Sequence, residues 1–477
     1  MKSFFRKVAF GLGPNDNIPS NPLEWALNQL DEIPEFTYNG KIPTEKELRL
    51  KLGEFIYQDR KVLREKYKSD KKGYLEAKEK LRHKTGHRYW EALEYNIRHN
   101  QALNSPSPVL ERFWFFWSNH FAIAEKDLLN NYTTGAYTRE IIRPNLIKSF
   151  EQMCVDATVS HTMMLHLDND KSVGPNSVRA SKNKEKGRPP KGINENHARE
   201  LLELHTVSPE CGYTQEDINQ LALIMTGWGP GWSQKKLESE DVKFDRDKHE
   251  PGKKTVLGKT YLGGKKRIFE VIKDLSDHPS CRKFIATKLV RHFITDEPTE
   301  DMINPIVQAW EKSNGNLPDI HKATIKVAYK YNEKFKKFQN PEVWFLQTAK
   351  MSELNYPTPS DEMEKYDFKS KPKNRKFRLS QKIIENIGHK PLAPEQPNGW
   401  SDLQADWISP ELLVRRLKIL RKIWGKMENE NKNEKFAKNI VFKNFDNPDQ
   451  LWSILIRQSS LINLYTMIYS SPEMLKA

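Results

Sequence analysis

The chain has 477 residues, of which 37% are hydrophobic and 30% charged. That length fits one large or two medium domains, and 12 Trp, 16 Tyr and 22 Phe exclude a disordered polymer despite a mean hydropathy of −0.78. Lys plus Arg number 78 and Asp plus Glu 63, a net charge of +15, which invites an anionic or nucleic-acid partner only if the excess is gathered in one place.

The three cysteines, Cys154, Cys211 and Cys281, are widely spaced and odd in number. They argue against a disulfide framework and a cysteine zinc site. No apolar run approaches the roughly 18 residues of a membrane span. Arg6 and Lys7 stand where a signal peptide needs its apolar stretch, so the expected compartment is the cytoplasm.

In chain order, Ser20-Asn21-Pro22 reads as a cap and first-turn proline for a short helix. From Thr44 to about Asn100 apolar residues recur at three- and four-residue spacing, with a break near Asp70–Lys72. Ser107-Pro108 opens an aromatic helix, and residues 130–165 hold two or three more around Pro144. Residues 172–192 read as loop, and helix resumes at Asn194. Thr214 to Asp217 resembles a capping box. A Gly- and Lys-rich stretch follows, with four helices expected between Arg267 and Lys350 and three in the tail, at 380–387, 410–428 and 449–470. The expected fold is mainly α: one large multi-helix domain over 1–477, with inserted loops at 172–192, 229–264 and 360–376 and a small β-hairpin near 242–264.

The densest polar stretch runs from Asn194 to Thr206. On a helical wheel Glu195, Asn196, Arg199, Glu200 and Glu203 share one arc of roughly 140°, and Glu195 and Arg199 are spaced as a helical ion pair. His205 falls on the apolar side, where it needs a buried partner. Asn119 and His120 end an otherwise apolar helix, so His120 is a C-terminal cap, a core histidine or a proton-transfer group. Asp168 and His249 lie on turn-prone chain. Basic charge gathers in two stretches, +5 over Arg179–Lys191 and +6 over Lys253–Arg267, as solvated loops or as contacts for a polyanion. Zinc-protease, phosphate-loop and nucleophile-elbow patterns are absent.

These segments occur in a recognisable order: Phe10-Gly11-Leu12-Gly13; Trp117-Ser118-Asn119-His120-Phe121; Leu167-Asp168-Asn169; Val173-Gly174-Pro175-Asn176; the 194–206 stretch; Thr226-Gly227-Trp228; His249-Glu250-Pro251-Gly252; Lys288-Leu289 and His292-Phe293; Pro397-Asn398-Gly399-Trp400-Ser401-Asp402. The chain resembles the bacterial "domain of unknown function 1800" family over nearly its whole length. One departure follows His205, where Val207 to Gly212 replace the usual Leu-Gly and glycine-rich turn. The resemblance implies a mainly helical fold and a bacterial source. It also implies a partner, a phosphatase- or sulfatase-like protein encoded nearby that often carries an export signal; many relatives are exported, and the absence of such a signal sets this chain apart from them.

Within these signatures, carboxylates and imidazoles point to a metal-assisted or general acid–base enzyme. His120, Glu195, Arg199, Glu200 and His249 are its candidate catalytic residues. Asn119, Asp168 and Asn196 are its candidate substrate-binding residues, and Glu203 and His205 its candidate ligands for a divalent metal. The alternatives are a non-catalytic helical scaffold and, more weakly, a binder of nucleic acid or another anionic ligand.

Overall fold

The computed structural model describes residues 1–53, 59–84, 87–124, 128–189, 192–230, 242–354, 379–423 and 433–477. The fold is mainly α-helical, with two small antiparallel strand pairs. One joins Trp228–Pro230 to Val242–Phe244; the other joins Lys254–Val256 to Lys259–Tyr261, within the expected hairpin region. No described helix is long and apolar enough to cross a membrane.

Local signals explain most helix boundaries. Asn21 accepts from the Glu24 amide and Pro22 opens helix Pro22–Leu27. Thr214 and Asp217 cap each other at the start of helix Gln215–Met225. The 44–100 stretch divides into Glu45–Gly53, Arg60–Lys66, Lys71–Lys84 and His87–Asn104.

The structure departs from expectation in four places. The 172–192 stretch contains helix Val178–Glu185, whose cap Ser177 accepts from the Ala180 amide; Ala and Lys favour helix despite the Gly and Pro that follow. Five helices, not four, lie between Arg267 and Met351. The 449–470 stretch is two helices, Pro448–Leu455 and Leu461–Ser470, preceded by the unforeseen helix Glu434–Asn444. Helix Ser3–Val8 is wholly buried, with the Arg6 Nε donating to the Asn444 carbonyl at 3.1 Å. The expected 360–376 loop lies outside the described residues.

Three apolar clusters form the interior. The largest surrounds helix Pro108–His120, in which Phe113, Trp114, Phe115, Phe116 and Trp117 are all buried. A helix buried on every side carries its final turn, Asn119-His120, into the interior. The second cluster packs helix Pro341–Met351 against the C-terminal helices. The 390–407 segment lies at the end of helix Pro108–His120 and brings Trp400 and Asp402 to it.

Candidate functional site

The 194–206 segment is α-helical over Asn196–Glu200 and widens to a π-turn over Leu201–His205, an irregularity often found at functional sites. Its acidic face is a surface network. Arg199 Nη2 donates to Glu195 at 2.8 Å and to Gln215 at 2.9 Å, and Gln215 donates to Glu195 at 2.6 Å. The Glu195 and Arg199 side chains are 41% and 34% exposed, so the pair contributes little stability. The Arg199 hydrogen bond holds the Glu195 carboxyl below its usual range. Asn196 is exposed, and its amide donates to the Asn194 side chain. Burial and the neighbouring Glu203 raise the half-buried Glu200. Glu203 accepts from the Tyr213 hydroxyl at 3.4 Å.

The loop residues make local contacts. Asp168 has φ +58° and pairs with Lys171 at 2.7 Å. His249 Nδ1 donates to the Thr226 carbonyl at 2.9 Å, and its Nε2 accepts from the Gly264 amide at 2.8 Å. Both ring nitrogens thus tie chain segments together in one neutral tautomer. The two basic stretches are partly neutralised by carboxylates outside them: Arg179 by Asp245, Lys182 by Asp247 and Lys259 by Asp274. Lys254 is buried against the carbonyls of Glu250, Pro251 and Gly252.

His120 and His205, in contrast, enter a buried polar cluster. Asn119 forks onto the backbone of Trp400, with Nδ2 donating to its carbonyl and Oδ1 accepting from its amide, both at 2.8 Å. The preceding residue must be glycine: Gly399 has φ +72°, and a Cβ there would lie 2.6 Å from Asn119 Oδ1. This strap delivers Asp402 to His292, whose Nδ1 donates to the carboxylate at 2.7 Å. Lys337 braces the strap through the Asp402 carbonyl and Asp296.

Burial disfavours the charge of Asp402, but His292, Lys337 and Lys288 outweigh it and hold the carboxyl below its usual range. Burial lowers His292 as well, against the pull of Asp402. The pair is therefore neutral imidazole and carboxylate near pH 7. The Nε2 of His292 is buried and has no hydrogen-bond partner among the described residues. His292 lines a cavity of ≈ 20 Å³ with Arg98, Asn119, Glu342, His389 and Asp402, which holds about one water. In its wall, Arg98 forks onto Glu342 at 2.8 and 3.1 Å, and His99 approaches the same carboxylate at 3.1 Å. Burial opposes ionisation of Glu342, yet these partners keep it ionised.

Lys288 lies one turn before His292 on helix Pro279–Phe293. Its Nζ is 3.0 Å from His120 Nδ1, and the other ring nitrogen of His120 is 3.2 Å from the His205 carbonyl. A carbonyl only accepts, so His120 Nε2 carries the proton and Nδ1 accepts from Lys288. Burial, then Lys288, drive His120 well below the usual histidine range. His205 is buried 5.1 Å from the Phe121 ring, and neither of its ring nitrogens has a partner among the described residues.

Of the residues singled out in the sequence, the structure thus brings together Asn119, His120 and the backbone of His205. Glu195, Asn196, Arg199, Glu200, Glu203, Asp168 and His249 make their contacts elsewhere. Among the described residues no group of three or more His, Cys, Asp or Glu is placed to hold a metal ion. Lys288, His292, Asp402 and the Arg98–Glu342 pair complete the buried cluster and are not among the candidates read from the sequence. Lys288, His292 and Asp402 stand in signature stretches, but no local pattern joins residues 110 apart.

Fold and cluster define a mainly α-helical protein with a buried His–Asp dyad beside a small polar cavity. A family model described as a protein of unknown function (DUF1800) matches residues 4–475, and the chain belongs to that family. Comparison with curated proteins and with solved structures finds no match.

Proposed function

We propose that the protein is an enzyme that uses general acid–base catalysis, with His292 as the base and Asp402 as the group that orients it. One observation carries this reading: a neutral, buried imidazole is held by a carboxylate on one nitrogen while the other, beside a water-sized cavity, has no partner among the described residues. In this reading Nε2 takes a proton from a water or a substrate X–H group. Asp402 keeps the proton of the resting ring on Nδ1 and stabilises the imidazolium that forms. Asn119, through its fork onto Trp400, sets the position of Asp402.

The test is a screen of the full-length protein against ester, amide, phosphoester and carbonyl substrates, followed by His292→Gln on any turnover found. Loss of the positioned base lowers kcat by about 10²-fold or more. Turnover within twofold of the parent sinks the reading.

A partner-binding role has one observation of its own. Leu403, Ile408, Val414 and Leu417 are 36–46% exposed within fifteen residues of Asp402; if they share one face, they form an apolar patch of the kind that marks protein contacts. A phosphatase- or sulfatase-like neighbour is the candidate partner, and co-purification of the two tests it.

A further inference from the structure

A lysine is a nucleophile only while it is unprotonated, and most lysines are kept charged by water or by a carboxylate. Lys337 is paired with Asp296, and Lys283, on the same helix as Lys288, with Glu300. Lys288 differs. It is part-buried, and among the described residues no carboxylate lies within 4 Å of its amine. Its polar partner is an uncharged acceptor, His120 Nδ1 at 3.0 Å. His120 is itself aimed by the His205 carbonyl at the end of the π-turn. The result is a nucleophile, a base within hydrogen-bond reach and a third group that orients the base, the arrangement that activates amines and hydroxyls alike.

We propose that Lys288 is a nucleophilic amine that condenses with the carbonyl group of an aldehyde or ketone substrate, with His120 as its proton acceptor. The lone pair on Nζ attacks the carbonyl carbon; a C–N bond forms and the C=O π pair moves to oxygen, which takes a proton from a water molecule and leaves hydroxide. An N–H proton passes to His120 Nδ1. His120 returns it to the carbinolamine hydroxyl, the C–O bond breaks and water leaves; the remaining N–H proton passes to the hydroxide formed in the first step, and an imine remains. The balance is amine plus carbonyl to imine plus water, with no oxidant or reductant. Burial supports the step by lowering Lys288 to about 8; Asp402 opposes this and Arg291 assists it. His292, one turn along the same helix face, stands about 5–6 Å away at Cβ, where its Nε2, unpartnered among the described residues, can remove a proton from the carbon next to the imine. This deepens the acid–base reading above and rests on it for turnover, while imine formation at Lys288 is measured independently of His292.

The experiment uses the full chain with one equivalent of propionaldehyde at pH 7.5, a brief borohydride quench and peptide mapping by mass spectrometry. The expected result is a propyl adduct at Lys288 at least tenfold above that at the exposed Lys326 or Lys330. The Lys288 adduct disappears in Lys288→Arg. In His120→Gln, labelling of Lys288 at pH 7.5 falls severalfold and recovers at pH 9.5. Adducts distributed according to exposure, with Lys288 no faster than Lys326, overturn the proposal. So does unchanged Lys288 labelling in His120→Gln at pH 7.5. Lys288 labelling that persists in His292→Gln while turnover is lost separates the two roles.

Discussion

The strap over the dyad offers a prediction that can be worked from geometry. Gly399→Ala places a Cβ 2.6 Å from Asn119 Oδ1, against an ordinary contact of at least 3.4 Å, and at a φ of +72°. Relief of the clash moves the strap by about 1 Å, as carbon contacts settle near 3.5–4 Å. Both Asn119–Trp400 hydrogen bonds, 2.8 Å long in the parent, then pass out of range. Each is worth about 1 kcal/mol, and the left-handed backbone costs alanine about 1 kcal/mol more. The sum, about 3 kcal/mol, speeds local opening roughly 10²-fold. The assay is hydrogen–deuterium exchange of the peptide spanning 397–404, which contains the Trp400 amide. Gly258→Ala is the control: its φ is +76° but nothing lies within 4 Å of a new Cβ, so it incurs the backbone cost alone. Exchange at 397–404 within threefold of the parent in Gly399→Ala, or Gly258→Ala destabilised as strongly as Gly399→Ala, refutes the reasoning.

Two further predictions concern buried charge. Burial lowers His197 and His321 to about 3 and His389 to about 4, whereas unfolded histidine titrates near 6.5. All three are neutral in the fold and take up a proton on unfolding, so their contribution is complete above about pH 6.5 and is lost as pH falls towards their folded values. Between about pH 5.5 and 4.5 the three together steepen the fall by about 4 kcal/mol per pH unit. Urea midpoints measured across this range check it, and His197→Asn removes about a third of the slope; a flat profile would count against the buried neutral state. Glu342→Gln leaves Arg98, 4% exposed, without its counter-charge and costs about 3–5 kcal/mol in chemical denaturation. A loss below 1 kcal/mol contradicts the pairing.

Much of the helical content was legible in the chain itself, because capping residues and apolar spacing act over a few residues. Pro108 and the aromatic run define a buried helix, Thr214 and Asp217 cap another, and Glu195 and Arg199 pair as their spacing requires. That same locality governs the polar face of the 194–206 segment. The 194–206 segment concentrates charge, yet a charged helical face is most readily satisfied by water and by its own neighbours, as Glu195, Arg199 and Gln215 show. His120 was visible as an imidazole at the end of an apolar helix, but whether it capped, packed or exchanged protons depended on what met it.

What the sequence by itself determined is the helical class, the family signatures and the residues that tertiary packing has available to arrange. What tertiary structure alone decided is which of them meet. Lys288 reaches His120 across 168 residues, and Asp402 reaches His292 across 110. The physical reason is that burial and charge are properties of a place in the fold. Desolvation lowers Lys288 and His292, and a glycine at φ +72° lets the 397–402 strap close on Asn119 and bring the carboxylate to the ring; neither effect exists until the chain segments have packed.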